Sequence, residues 1–204
     1  MLLVLGTHNR KKAAELVDLL APWGFECRTL ADYSNAAEVE EIGSTFAENA
    51  RLKACEQSLH LGCWVLGEDS GLAIDALDGA PGVYSARFSG SAATDQSNNR
   101  LLVEKLGALP LEKRTAYYVS HVVLADPQGT VRGESAGKCD GRIIFQPAGS
   151  GGFGYDPYFE IIEYHRTFAE LGGVVKSLLS HRARAVRALI PRILQTIRDG
   201  NWIE

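Results

Sequence analysis

Hydrophobic and polar positions divide the chain into a short series of patterned segments. Residues 2–6, Leu-Leu-Val-Leu-Gly, are an apolar run of strand length. Residues 10–20 then place Ala13, Leu16, Val17 and Leu20 on one helical face, and a second strand fits near 26–30. This β-α-β opening predicts parallel strands with a right-handed crossover. Residues 32–44 show no period and read as a loop. Thr45-Phe46-Ala47-Glu48 matches a capping box, which starts a helix running to residue 61. Two short strands, 63–68 and 72–75, are expected on either side of a break at Ser70-Gly71, with a Pro/Gly turn from Gly79 to Gly82. Residues 94–106 read as a helix. Strands at 115–125 and 130–138 flank Asp126-Pro127-Gln128-Gly129, a hairpin signal that makes the sheet mixed. A Gly-rich loop covers 147–157. The last helix, 180–198, is marked by Ala183, Val186, Ile190, Ile193 and Ile197, and Pro191 is expected to kink it. The class is α/β.

Composition narrows the function classes more than it names one. At 204 residues the chain fits one domain, or two lobes on a shared core. Its 46% hydrophobic and 23% charged residues are those of an ordinary globular protein. A net charge of −4 and no basic stripe argue against a nucleic-acid binder. Cys27, Cys55, Cys63 and Cys139 form no C-x-x-C pair and have no zinc-finger histidine. They are expected as free thiols in a reducing compartment. The opening apolar run is too short for a span or a signal peptide, so a cytoplasmic protein with no membrane partner is expected.

Five segments carry candidate chemistry. In Gly6-Thr7-His8-Asn9-Arg10-Lys11-Lys12 a strand meets a helix start, where backbone N–H groups favour an anion. Thr7 and Asn9 add polar groups there, and Lys12 adds a cation one turn in. Residues 40–50, beginning Glu40-Glu41, lead into the helix that carries Asn49 and Lys53 one turn apart. Glu68 and Asp69 lie where an apolar strand meets Ser70-Gly71. Mg²⁺ usually takes one or two carboxylates plus substrate phosphates. Neighbouring strand residues point to opposite faces, so the two acids are expected to do different jobs unless the strand ends between them. Gly151-Gly152-Phe153-Gly154-Tyr155-Asp156-Pro157 sets an aromatic ring among glycines that admit a close approach. Lys176 and Ser180-His181-Arg182 place cations near a helix start, where the dipole disfavours them and an anion or a carbonyl would welcome them.

Taken in order, these segments resemble the inosine triphosphate pyrophosphatase family, also called the Ham1-like or XTP/dITP diphosphatase family. The resemblance spans nearly the whole chain. It rests on residues 7–12, 40–50, 68–72, Gly79-Ala80-Pro81-Gly82-Val83-Tyr84-Ser85-Ala86-Arg87-Phe88, 151–157 and 180–182. It implies an elongated mixed central sheet flanked by helices, with two lobes, a substrate cleft between them and one such domain over 1–204. It further implies a homodimer that uses Mg²⁺ to convert non-canonical purine triphosphates such as ITP, dITP and XTP into monophosphate and pyrophosphate, cleansing the nucleotide pool. Carried onto this chain, Thr7, Asn9 and Lys12 grip the triphosphate with Lys53, in a stretch that also holds His8, Arg10 and Lys11. Glu41 and Asp69 hold the metal, with Glu40 and Glu68 as alternatives. Asp69 also takes the proton of the attacking water, and Ser70 contacts substrate. Phe153, Gly154, Tyr155, Asp156, Lys176, His181 and Arg182 read the base. Two positions depart from the family pattern: Glu68 stands where an aspartate is frequent, and His8 where a small residue is. A pyrophosphatase for other modified nucleotides and a non-catalytic purine-nucleotide sensor are the alternative readings.

Overall fold

A computed structural model describes residues 1–202. Seven strands form one mixed sheet in the order β2-β1-β3-β4-β5-β6-β7. Their ranges are β1 Leu2–Gly6, β2 Glu26–Thr29, β3 Val65–Ile74, β4 Thr115–Ala125, β5 Val131–Ile143, β6 Phe159–Ile161 and β7 Arg166–Thr167. The α-helices are α1 Arg10–Leu20, α2 Phe46–Leu61, α3 Asp95–Leu106, α4 Phe168–Leu179 and α5 His181–Arg198. β1 runs parallel to both β2 and β3, whereas β5-β6 and β6-β7 are antiparallel.

The chain divides into two compact units. The first comprises Met1–Asp69, Ser120–Gly137 and the chain from Arg182 onward; the second comprises Ser70–Val119 and Lys138–His181. In the first unit, Leu3, Leu5 and Leu66 pack with Ala13, Leu16 and Leu20 of α1 and with Ala185, Val186, Leu189, Ile190 and Ile193 of α5. Val4 and Val65 bury their side chains in a separate cluster with Leu30. A strand buried on both faces needs apolar residues at successive positions, which is why residues 2–5 read as a continuous run. The second unit closes around Leu72, Ile74, Leu102, Leu106, Tyr118, Phe159 and Phe168.

Two features differ from the pattern of the sequence. β3 is one continuous strand through Ser70-Gly71, not two strands with a break. Gly71 serves packing here: a Cβ on it would lie 2.3 Å from Ser85 Oγ and 2.7 Å from the Gly82 carbonyl. Ser85 Oγ in turn accepts the Leu72 N–H at 2.9 Å, so glycine lets a turn press against the strand without ending it. The second difference is α4 with the short strands β6 and β7, which the hydrophobic period does not reveal. α5 runs through Pro191 as one element.

Candidate functional site

The two acids of β3 part company as strand geometry requires. Glu68 shares the parity of Leu66, whose face packs against α1 and α5. Its carboxylate is fully buried. Oε1 accepts from Ser120 Oγ at 2.9 Å and from Arg182 Nε at 3.2 Å, while Oε2 lies 3.1 Å from Lys12 Nζ. Arg182 also pairs with Glu15 of α1. Two acids and two cations therefore balance within one buried cluster, as an ion pair taken out of water must. Burial works against the Arg182 guanidinium, but the charges of Glu68 and Glu15 outweigh it and hold its pKa above the ordinary arginine value.

Asp69 shares the parity of Gly67 and meets α2. Lys53 Nζ donates to Asp69 Oδ1 at 2.8 Å, and Asn49 Nδ2 lies 3.4 Å from Oδ2. The approach depends on small residues. A Cβ on Gly67 would sit 2.3 Å from the Ala50 carbonyl and 2.6 Å from the Ala54 nitrogen, so only glycine lets α2 lie this close. Asn49 is fully buried at the end of the first turn of α2, and its Oδ1 accepts the Gly43 N–H at 2.8 Å. It thus ties the 40–43 segment to α2. That segment delivers Glu41, whose Oε1 lies 2.9 Å from Lys53 Nζ. Glu40 is exposed. Glu41 and Asp69 thus flank one ammonium, while Glu40 takes no part in this contact. Burial pushes the Asp69 carboxyl above its ordinary value, against the pull of Lys53 and Lys12. Burial also works against the Lys53 charge, but Asp69 and Glu41 outweigh it and raise its pKa.

At the start of α1, Asn9 is the N-cap. Its Oδ1 accepts the N–H groups of Lys11 and Lys12 at 3.0 and 3.1 Å. Thr7, which is buried, accepts the Asn9 N–H on Oγ1 at 3.2 Å. The Asn9, Lys11 and Lys12 N–H groups are thus already engaged, and the Asn9 amide NH₂ and the Lys12 ammonium add side-chain donors to this turn. His8, Arg10 and Lys11 are exposed.

In the second unit, Asp156 is buried and organises its own loop. Its Oδ2 accepts the Phe153 N–H at 2.8 Å and lies 2.5 Å from Lys176 Nζ. Gly152 has φ +72°, and a Cβ there would strike that same carboxylate at 2.1 Å. The Lys176 ammonium sits 4.4 Å from the Phe153 ring centroid, within cation–π range. Tyr155 is buried and its hydroxyl donates to the Ser85 carbonyl at 2.8 Å. His181 stacks on Tyr118, with ring centroids 4.7 Å apart. Ser70 is half-buried. Lys12, Lys53, Glu41 and Arg182 thus gather around Asp69 and Glu68, and Phe153 and Lys176 around Asp156, whereas Glu40, His8, Arg10 and Lys11 are exposed. Ser120 escapes sequence reasoning, since no motif surrounds it.

Known proteins resemble this chain in both sequence and fold. The model of the Ham1 family matches residues 3–192. A protein of Rhodopirellula baltica named dITP/XTP pyrophosphatase is 48% identical, over 98% of this chain and 96% of its own. A HAM1 protein structure from Coxiella burnetii superposes with a TM-score of 0.84 at 35% identity, covering 97% of this chain and 99% of that one. The structure of a nucleoside-triphosphatase / dITP/XTP pyrophosphatase from Mycobacterium abscessus gives 0.74 at 41% identity, covering 95% and 100%. With motif order, fold and near full-length identity in agreement, the chain belongs to the Ham1 family.

Proposed function

We propose that this protein hydrolyses non-canonical purine nucleoside triphosphates, namely ITP, dITP and XTP, to the monophosphate and pyrophosphate. Two supports meet here: the names of its close relatives, and the pair of carboxylates, Glu41 and Asp69, that flank the Lys53 ammonium beside Lys12. That second observation carries the reading, because a binder of an anionic substrate has no use for acids there unless they hold a cation.

The residues fit a divalent cation. Among the described residues no cluster of three or more His, Cys, Asp or Glu side chains forms a metal cage. Glu41 and Asp69 nevertheless meet at one positive charge, and two carboxylates completed by substrate phosphates is the usual Mg²⁺ arrangement. Lys53 occupies the point between them. Mg²⁺, when bound, supplies positive charge at the phosphates and makes water more acidic. Lys12 and Lys53 neutralise further charge, with Thr7 and Asn9 orienting the chain of phosphates. Asp69 accepts a proton as a water oxygen bonds to the α-phosphorus and the bond to the pyrophosphate oxygen breaks. Its raised pKa makes it a stronger base than an ordinary carboxylate. Glu68 holds Lys12 and Arg182 in place. In the second unit, Phe153 offers a stacking face, and Lys176 and His181 offer donors to a 6-oxo purine, which adenine with its 6-amino group cannot accept. A cytoplasmic homodimer is part of the same proposal and rests on family membership. No helix among the described residues is long and apolar enough to cross a membrane.

The test is pyrophosphate release from ITP, dITP, XTP, GTP, ATP and dTTP, with Mg²⁺ and with EDTA. Fast, EDTA-sensitive release from the first three is expected. Nucleotide binding without release would favour a sensor, and preference for a pyrimidine triphosphate would move the protein to another substrate class.

A further inference from the structure

The first two turns of α3 carry none of the sequence motifs, yet they hold the Phe153–Asp156 loop. Asp95, the first residue of α3, accepts the Gly154 N–H on Oδ2 at 3.0 Å. Asn99, one turn on, donates from Nδ2 to the Gly154 carbonyl at 2.8 Å. The i, i+4 spacing puts both side chains on one helix face, so they grip the N–H and the C=O of a single glycine. Gly154 has φ +62°, the left-handed conformation that glycine adopts without strain. Asn98 braces the same region: its amide donates to the Ala86 carbonyl at 3.2 Å and its oxygen accepts the Ser89 N–H at 2.8 Å.

Two details separate this grip from ordinary loop packing. Asn99 is only 7% exposed, and its Oδ1 meets no donor among the described residues. A buried, unmet acceptor is costly, so stability alone is a poor reason for an asparagine here. Three of the loop's N–H groups are also already held. The Phe153 N–H goes to Asp156 Oδ2, the Gly154 N–H to Asp95 and the Asp156 N–H to the Phe153 carbonyl at 3.2 Å. With these three N–H groups engaged and Gly154 held at both its N–H and its carbonyl, the loop presents a fixed set of groups to the base it meets.

We infer that Asp95 and Asn99 are positioning residues for base selectivity: by clamping Gly154 they hold the Phe153–Asp156 loop in an arrangement that admits hypoxanthine or xanthine and rejects guanine, whose 2-amino group presents a donor where xanthine presents an acceptor oxygen. The inference rests on the proposed hydrolysis of purine triphosphates. Both residues bond to Gly154, so their loss acts on the choice of base and on KM, with turnover of ITP at saturation largely kept.

The experiment compares native enzyme with Asp95→Ala, Asp95→Asn, Asn99→Ala and Asn99→Asp, measuring kcat and KM for ITP and GTP together with thermal melting. Loss of one buried hydrogen bond predicts that the ITP-over-GTP ratio of kcat/KM falls about tenfold in Asp95→Ala and in Asn99→Ala. Asp95→Asn keeps an acceptor oxygen and is expected to retain the native ratio. Asn99→Asp sets a carboxylate against the Gly154 carbonyl and lowers the ratio at least as far as alanine. Folded Ala variants with native selectivity overturn the inference, as does an equal loss in Asp95→Asn and Asp95→Ala. The Asn99 pair decides the matter if Asp95→Ala fails to fold. If the native enzyme releases pyrophosphate from no nucleotide, the proposed function fails by itself. Calorimetric affinities for IMP and GMP then test the clamp: a native preference for IMP that the Ala variants lose supports it, and one they keep overturns it.

Discussion

Replacing Gly67 by alanine tests whether the closeness of α2 to β3 assembles the site. The added methyl would begin 2.3 Å from the Ala50 carbonyl oxygen, 2.6 Å from the Ala54 nitrogen and 2.9 Å from the Ala54 methyl. These are backbone atoms and a methyl with no rotamer, so no flexible side chain can swing aside. Ordinary contact requires α2 to retreat by about 1 Å. Asn49 and Lys53 travel with the helix, whereas Asp69 stays on the strand, so the 2.8 Å Lys53–Asp69 contact opens. Misplacement of about 1 Å costs on the order of 10²-fold in rate. Overpacking a well-filled interior costs about 1–3 kcal/mol, which in a chain of this size lowers Tm by roughly 2–12 °C. Steady-state pyrophosphate release and a melting curve measure both. Gly173→Ala, where a new Cβ meets nothing within 4 Å, is the control for glycine replacement as such. A Gly67→Ala enzyme with native kcat/KM and native Tm would refute the assembly argument.

Three further substitutions separate the roles proposed above. Asp69→Asn removes the base and is expected to cut kcat by about 10²–10⁴-fold with the fold intact. Because burial raises the Asp69 pKa, the folded state favours the protonated acid. Its stabilising contribution is present below the unfolded value of about 4 and is lost as pH rises through the folded pKa. Metal-free Asp69→Asn should therefore melt no lower than native protein at pH 7, and its relative advantage should vanish in acid; thermal melts across pH check the sign. Arg182→Ala strands Glu68 and Glu15 without their guanidinium and is expected to cost about 3–5 kcal/mol by denaturant titration. A normal Tm with altered base preference would instead make Arg182 a reader of the base. Lys176→Met keeps the volume but removes a donor, so the preference for ITP over ATP in kcat/KM should narrow. An unchanged ratio would remove Lys176 from base recognition.

How much of the fold is legible in the sequence depends on whether a local signal is strong enough to stand alone. The opening strand and α1 are legible, since an apolar run and a 3.6-residue stripe both arise from burial against the same core. Thr45-Phe46-Ala47-Glu48 marks the start of α2, and its capping box is present, with Glu48 Oε2 3.2 Å from the Thr45 nitrogen. The identical tetrapeptide Thr167-Phe168-Ala169-Glu170 caps α4, with Glu170 Oε2 2.9 Å from the Thr167 nitrogen. The same rule could find it. Gly172-Gly173 masks it by resembling a breaker; Gly172 does leave helical geometry, at φ 75° and ψ 174°, but the helix resumes beyond it. Ser70-Gly71 misleads in the opposite direction, because tight packing against Ser85 and a strand end both call for glycine.

The site shows the same division between local and long-range information. Parity along β3 separates Glu68 from Asp69 by sequence position alone, but their partners lie as far along the chain as Arg182. No local rule supplies Ser120, or says that Asn49 joins Gly43 to Asp69. The buried charges also explain one another. Glu68 is tolerable only because Lys12 and Arg182 meet it, and Lys12 is held near the Asn9 turn because Glu68 is there. Asp69, by contrast, remains raised in pKa despite Lys53 and Lys12, so its ionised form is not fully compensated by the protein alone. A structural ion pair would gain from full compensation. A carboxylate left in deficit beside Glu41 fits the proposed role of receiving a second positive charge, whereas Glu68, turned the other way along β3, meets Lys12 and Arg182.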